Sequence, residues 1–268
     1  MRRQKQLQEL LAAAPMVEVV GVVSPVGVSG GRSGGEELWM LRLVLDAWRI
    51  AGGQMQTRPL RIQRKLTDPE LKQLQKAVPP DAVVRLRARV VLESPFGEPA
   101  GLLDCFVGRE QSDTELNRYA LQLQQPVHHQ DPVFGTLTLD RRVSSFSGAA
   151  AWRGRAVALH LSAKTPADLD AALRTAHSLW QAQDQWHERI LDFAVQQLLP
   201  LKNESWLGED EAEITAAQFK QRMALKAISA HPDGSFDFWH SDGDLFWGHL
   251  IEVAGNLREG PKRADIPG

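Results

Sequence analysis

The chain has 268 residues, of which 43% are hydrophobic and 24% charged, with a net charge of −2 and a single cysteine. This composition is typical of a folded globular protein, and the length suffices for two domains with separate cores. The single cysteine excludes an intramolecular disulfide and a multi-thiolate zinc site. No apolar run is long enough to predict a membrane-spanning helix, so no membrane partner is expected.

The N-terminal segment MRRQKQLQELLAAAPM begins with basic residues, as an export signal does. Gln6, Gln8 and Glu9 interrupt the apolar stretch that such a signal needs, so we predict a short amphipathic helix instead. Together with the lone Cys105, this favours a cytoplasmic location.

The first half of the chain has the pattern of a mostly-β domain, predicted over residues 1–108. Strands are predicted over 17–25, 38–50, 60–66, 82–94 and 101–107, with a helix over 68–78. Thr67 or Asp68 can cap that helix, and Pro69 suits its first turn. Three strands, a helix and two strands is the chain order of a five-stranded Greek-key barrel of the OB type, although a curved open sheet would give the same pattern.

The second half is predicted as an α+β domain over residues 133–268, joined to the first by a polar linker over 109–132 with one helical turn around residues 116–123. Its strands are predicted to be antiparallel and to flank a long helical region that starts at Thr165, with a break near Gln183 and Asp184. The fold class of the whole chain is therefore predicted as α+β.

The segment GSFDFWHSDGDLFWGHLIEV, residues 234–253, concentrates aromatic and acidic residues. Asp242-Gly243 predicts a two-residue hairpin turn, which would place Trp239 opposite Phe246 and Phe238 opposite Trp247. In that register His249 follows the apolar stripe of a strand, which indicates a core histidine.

Two functional interpretations of the same hairpin remain open. A recognition edge would use Trp239, His240, Asp242, Asp244, Phe246 and Trp247, because aromatic side chains at a hairpin tip are common binding anchors. A metal site would need His240, Asp242, Asp244 and His249 to converge, and these are weak candidates because His249 lies well down the predicted strand. No metal or other cofactor is expected.

Basic residues alternate along two predicted strands of the first domain. Arg85, Arg87 and Arg89 leave one face of a strand, as do Arg61, Gln63 and Lys65 on the strand before it. Residues 1–108 carry 15 Lys+Arg and 11 Asp+Glu, a net charge of +4. Single-strand nucleic-acid grooves also need aromatic stacking platforms, which these strands lack, so a solvated face is favoured over a nucleic-acid site.

No motif in the chain predicts catalysis. The glycine-rich loop 27–35 lacks the Gly-Lys-Ser/Thr ending and the following helix of a phosphate site. No Gly-x-Ser-x-Gly elbow that leads from a strand into a helix is predicted, and no His-Glu-x-x-His or familiar Cys and His pair is found, so an enzyme is less expected than a binding protein.

Residues 133–268 resemble a family of bacterial proteins known only as a domain of unknown function. The resemblance is carried by FGTLTLDRRVSSFSGAAAWRGRAVALHL, NESWL and DGDLFWGHLIEV with GNLREG, and DGDLFWGH is its most specific element. It implies no reaction or substrate. Families of this kind often occur among bacterial toxin-immunity proteins, and no family is recognised for the first half.

These observations favour a non-enzymatic, cytoplasmic bacterial protein that binds another protein, in its most specific form an immunity protein that neutralises a toxin. A metal-dependent hydrolase built on the hairpin cluster is one alternative. A single-stranded nucleic-acid binder that uses the N-terminal domain is the other.

Overall fold

The computed structural model describes residues 2–267, in two compact units that divide between residues 125 and 126. Within residues 2–267 there are six helices and two sheets, so the predicted α+β fold class is confirmed. None of the helices in this part of the chain combines the length and the apolar character that crossing a bilayer requires.

The first unit consists of α1 (Arg2–Ala13), β1 (Met16–Val23), β2 (Ser29–Gly31), β3 (Trp39–Ile50), β4 (Leu60–Leu66), α2 (Asp68–Ala77), β5 (Val83–Val91), β6 (Ala100–Arg109) and α3 (Thr114–Leu123). The predicted strand order and the predicted helix between the third and fourth long strands agree with this arrangement. Helix α2 starts as its sequence indicates, with the carboxylate of Glu70 accepting the backbone N–H of Thr67 at 2.7 Å.

The five long strands of the first unit form a closed barrel. Strand β1 pairs with β3 and with β5, β5 pairs with β6, β6 pairs in parallel with β4, and β4 returns to β3. This ring has the connectivity of an OB barrel, so the OB-like prediction is confirmed. Leu41, Leu43 and Leu45 alternate inward on β3 and are buried, whereas Arg42 between them is exposed.

Residues 109–132 differ from the predicted linker. Asp113 caps α3 by accepting the backbone N–H of Leu116 at 3.0 Å. Leu116 and Ala120, four residues apart, are buried against the valines of β1 and β5. Residues 128–131 already belong to the second sheet. Helix α3 covers the helical turn predicted at residues 116–123 and is longer than predicted, and its apolar face is buried.

The second unit consists of β7 (His128–Asp131), β8 (Gly135–Asp140), β9 (Ser145–Trp152), β10 (Arg155–Ser162), α4 (Pro166–Gln181), α5 (Gln183–Ser205), α6 (Ala216–Arg222), β11 (Ala224–Ala230), β12 (Ser235–Ser241), β13 (Leu250–Asn256) and β14 (Gly260–Asp265). The break between α4 and α5 falls at Ala182, beside the predicted position.

Strands β7 to β14 form one sheet in chain order. Every neighbouring pair is antiparallel except β10 and β11, which are parallel because the three helices come between them. Alternate strand residues and one face of α4 and α5 share a single apolar core, which includes Leu159, Ile228, Phe238, Ala176 and Ile190.

The hairpin of β12 and β13 corrects the predicted register. Ser241 pairs with Leu250, Trp239 with Glu252 and Phe238 with Val253, so residues 242–249 form an eight-residue loop instead of a two-residue turn. Strand β13 therefore begins only at Leu250, and His249 lies in the loop and not on the strand where it was expected. An Asp-Gly pair is only a local signal, and the buried contacts of Leu245 and Phe246 outweigh it here.

Candidate functional site

The loop between β12 and β13, residues 242–249, is organised by one buried carboxylate. Asp242 is 3% exposed and accepts the backbone N–H groups of Phe246 at 2.7 Å, Gly248 at 3.1 Å and Asp244 at 3.2 Å. Three such bonds satisfy a buried charge that would otherwise be costly. Asp242 therefore holds the loop and is not itself available to a partner, which corrects its prediction as a binding residue.

This loop carries the most exposed tryptophan of the described chain. Trp247 is 69% exposed and has a φ of +57°, a left-handed conformation that is unfavourable for a bulky side chain. Its ring centroid lies 4.8 Å from that of Trp206, and Trp206 lies 5.8 Å from His249. We call Trp206, Trp247 and His249 the aromatic cluster.

An acidic segment follows Trp206 in the chain. Lys202 of α5 is fully buried and donates to the carbonyl of Trp206 at 2.7 Å and to Glu211 at 2.6 Å, so it holds both the helix end and the segment 208–213. The Lys202 ammonium lowers the pKa of Glu211. Glu209, Asp210 and Glu213 are exposed and form no ion pair within residues 2–267. Three exposed carboxylates thus follow Trp206 within seven residues of the chain.

Other predicted members of the recognition edge are placed differently. Phe246 is fully buried, with Trp206 and Phe219 packed edge-on against its ring, so it is a core residue. Trp239 is half-buried on β12, and Asp244 is exposed with a φ of +65°. Of the predicted edge, Trp247 and Asp244 are the exposed residues.

The four weak metal candidates do not converge. His240 is 1% exposed and neither of its ring nitrogens has a hydrogen-bond partner of normal geometry within the described residues. Asp242 is occupied by the loop backbone, and His249 is a loop residue against Trp206 rather than the predicted core histidine. Residues 2–267 contain no group of three or more His, Cys, Asp or Glu side chains arranged to hold a metal ion.

His240 is the buried histidine of this segment. Burial, and secondarily the charge of His187, lower its pKa to about 3, so the ring is neutral at pH 7. A neutral, enclosed imidazole on β12 acts as a core side chain, which corrects its prediction as a binding residue.

The three arginines of β5 are paired within the barrel. Arg85 bonds Glu18 at 2.8 Å and Glu110 at 2.9 Å, and Arg87 lies 3.7 Å from Asp104. Arg89 donates to the carbonyl of Ala12 at 3.1 Å, at the end of α1. Strand β6 also separates β5 from β4, so the two basic ladders are not adjacent as predicted. Arg85 and Arg87 thus have acidic partners, whereas Arg89 is held by backbone carbonyls alone.

A different surface of the barrel forms a groove of about 530 Å³, which we call the barrel groove. It lies over the outer faces of β3 and β4 and is bounded by the segments 24–29 and 94–100 and by α1. Its lining includes Leu7, Val26, Arg42, Val44, Arg61, Gln63, Phe96 and Glu98. Arg42 has no acidic partner within the described residues, Arg61 pairs with Glu98, and Phe96 is 51% exposed.

Neither the aromatic cluster nor the barrel groove follows directly from local sequence. Trp206 lies far from Trp247 in the chain, and only the tertiary packing brings the two rings together. The groove gathers residues from five separate segments of the first unit, and Arg42 is one exposed residue of a strand that alternates apolar and polar side chains. The outward alternation of Arg42 on β3 and Arg61 on β4 was the only sequence signal for it.

The fold defines a two-unit protein, an OB-like barrel followed by an α+β unit with a single eight-stranded sheet. Residues 131–266, about half of the chain, match the family described as "Uncharacterized protein conserved in bacteria (DUF2262)", and the chain belongs to this family. Residues 3–123 match a second family, "Domain of unknown function (DUF7021)". The predicted resemblance of the second half to a bacterial family of unknown function agrees with the first match.

A comparison with curated proteins finds no match. Among solved structures, the crystal structure of wild-type single-stranded DNA binding protein from Thermus aquaticus aligns with 94% of this chain and 92% of that chain, at 10% identity and a TM-score of 0.24. A TM-score of this size supports no inference about fold or ligand.

Proposed function

We propose that the protein is a non-enzymatic binding protein whose second unit recognises a protein partner through the aromatic cluster. The proposal rests mainly on the exposure of Trp247. This residue is 69% exposed in a left-handed conformation that the buried Asp242 holds in place. Exposing a tryptophan on a constrained loop does not stabilise the fold. Tryptophan is, however, the residue most enriched at the energetic centres of protein interfaces.

The charges around the cluster indicate the chemistry of the partner. Glu209, Asp210, Glu213 and Asp244 are exposed near or beside the two tryptophans in the chain. A lysine or arginine of a partner can lie over a tryptophan ring while its charge is met by these carboxylates. The proposed partner therefore presents a basic segment, and a secreted toxin neutralised in the cytoplasm is one partner of that kind.

The test is a comparison of matched variants in affinity purification from the host. Wild type and Trp247→Ala are compared with Val143→Ala, which removes another side chain of the second unit that is 69% exposed. We expect one near-stoichiometric protein that is retained by wild type and Val143→Ala and lost by Trp247→Ala. Replacing Glu209, Asp210 and Glu213 by their amides should weaken the same complex. Equal recovery with Trp247→Ala would exclude the proposal.

A second candidate function is favoured by the barrel groove. Its position on the outer faces of β3 and β4, between two loops, is where OB barrels bind oligonucleotides, and Arg42, Arg61 and Phe96 offer charge and a stacking surface. The probe is a single-stranded oligothymidylate followed by fluorescence anisotropy over a salt series. Binding should weaken with salt and with Arg42→Ala, but not with Arg87→Ala outside the groove. Absence of binding at low salt would exclude this function.

A further inference from the structure

Three polar side chains of the second unit form one continuous hydrogen-bonded chain. The Nδ1 atom of His231 lies 2.9 Å from the Oγ atom of Ser162, and its Nε2 atom lies 2.8 Å from a carboxylate oxygen of Asp237. Both distances are those of hydrogen bonds. Ser162 and His231 are 69 residues apart in the chain, so no sequence motif predicts this arrangement.

The parallel pairing of β10 with β11 brings these residues together. Leu161 pairs with Ala230, so Ser162 and His231 are the next residues along, at the same end of the two strands. Leu161 and Ala230 are buried in the core shared with the helices. Because side chains alternate along a strand, Ser162, His231 and Asp237 lie on the opposite face of the sheet.

The three side chains are held in place and are still accessible. Those of His231 and Asp237 are 30% and 22% exposed, and Ser162 is half-buried. The backbone of His231 is fixed on both sides. Its carbonyl accepts the hydroxyl of the buried Thr175 at 2.9 Å, and its N–H donates to the carbonyl of Ser235 at 3.0 Å. A small molecule can therefore reach a preorganised site from solvent.

The hydrogen bonds also determine the tautomer of the neutral His231 ring. An ionised carboxylate only accepts, so the Nε2 atom that faces Asp237 carries the proton. The Nδ1 atom is then the acceptor, and the hydroxyl of Ser162 donates to it. The hydrogen bond to Asp237 raises the pKa of His231, and the charge of Asp233 acts in the same direction. The ring is therefore a stronger base than a free imidazole.

This arrangement contains the three groups that activate a serine: a nucleophile, a general base in contact with it, and a carboxylate that orients the base. The two ring nitrogens have the opposite parts from those in serine proteases. Either nitrogen of a neutral imidazole can accept a proton, so the exchange leaves the chemistry available.

We propose that Ser162 is an activated nucleophile that accepts an acyl group from an aryl ester or a thioester. Its Oγ atom forms a bond to the acyl carbon while its proton passes to Nδ1 of His231. The bond from that carbon to the leaving oxygen or sulfur breaks, and the leaving group keeps the electron pair and takes the proton from His231. Asp237 is a positioning residue. The reaction is a single modification of the chain itself, which goes beyond the proposed partner binding and does not depend on it.

The experiment treats the full chain with p-nitrophenyl acetate, an aryl ester, and locates the acetylated peptides by mass spectrometry. We expect one acetyl group on Ser162, which Ser162→Ala loses. Ser229→Ala removes another half-buried serine of the same face and is the matched control, acetylated as wild type is. His231→Gln cannot take the proton and should slow acetylation of Ser162 about a hundredfold. Near-ultraviolet circular dichroism reports whether each variant is folded.

The pH profile separates a general base from a merely structural hydrogen bond. Only the neutral His231 ring can take the proton, so acetylation of Ser162 should become faster as the pH rises through the pKa of His231 and then level off. Asp237 and Asp233 are the charged groups that act on this ring. Asp237→Asn should therefore move the rise to lower pH, and it should lower the plateau because an amide does not fix the tautomer.

Three results would each overturn the proposal. The first is acetylation confined to lysines or Cys105. The second is equal acetylation of Ser162 in wild type and His231→Gln. The third is a pH midpoint that Asp237→Asn leaves unchanged.

Discussion

The carboxylate of Asp242 accepts the backbone N–H of Phe246 at 2.7 Å. Phe246 and its neighbour in the chain, Trp247, have opposite environments. Phe246 is fully buried, whereas Trp247, the next residue, is 69% exposed. A single buried acceptor thus turns the chain so that one aromatic ring completes the core and its neighbour is presented to solvent.

Asp242→Asn should destabilise the second unit by about 1–3 kcal/mol, because an amide offers one acceptor oxygen where the carboxylate uses both for the loop backbone. Urea unfolding measures the change. Asp244→Asn, an exposed position, is the control and should change stability by less than ~0.5 kcal/mol. A loss of equal size in both variants would mean that the Asp242 bonds do not hold the loop.

The sequence predicts the barrel better than the loop, and the reason is physical. Barrel strands such as β3 alternate apolar and polar residues, and a capped helix separates the third long strand from the fourth. The two-residue periodicity and the capping residues are therefore enough to predict these elements. The loop 242–249 depends on a buried carboxylate whose partners are backbone groups, which leave no signature in residue type. Asp242-Gly243 therefore suggested a tight turn, and His249 was assigned to a strand that begins only at Leu250. His240, not His249, is the core histidine.

His240→Phe should remove an acid-sensitive contribution to stability. Burial lowers the pKa of His240 to about 3, so between pH 6.5 and pH 3 the unfolded chain takes up a proton that the folded chain does not. Stability of the wild type therefore falls as the pH falls through this window and is unaffected by this group at pH 7. Urea midpoints across the window should depend less on pH in His240→Phe. The exposed control His128→Phe should retain the wild-type slope.

Glu110→Gln tests the network that neutralises Arg85. Hydrogen bonds from the Ser112 hydroxyl first, then from Arg85 and the Ser112 backbone, lower the pKa of Glu110 to about 2. The contribution of Glu110 to the free energy of unfolding is thus present above pH 4.5 and is lost as the pH falls toward 2. We expect Glu110→Gln to be less stable than wild type at pH 7. On acidification the variant should lose less stability than wild type does. Glu93→Gln, which breaks an exposed pair with Arg58, should alter stability by less than ~0.5 kcal/mol.

Gly21→Ala tests how closely β1 and β3 must approach to close the barrel. A Cβ at Gly21 would lie 2.7 Å from a Leu45 methyl carbon and 2.9 Å from the carbonyl oxygen of Ala47, which is closer than non-bonded atoms allow. Because one of these atoms belongs to the backbone, relief requires the strands to move apart. We expect a loss of about 1–3 kcal/mol, the cost of overpacking a closed core, measured by urea unfolding.

Gly108→Ala is the matched control for this prediction, because Gly108 also lies in a barrel strand and a Cβ there meets nothing within 4 Å. Replacing a strand glycine without strain restricts the unfolded chain, so this variant should be neutral or more stable by up to ~1 kcal/mol. Alanine should therefore lower the free energy of unfolding at Gly21 and leave it unchanged or raise it at Gly108. Equal stability of Gly21→Ala and Gly108→Ala would show that β1 and β3 can separate at no cost, and the barrel would then not be tightly closed at this seam.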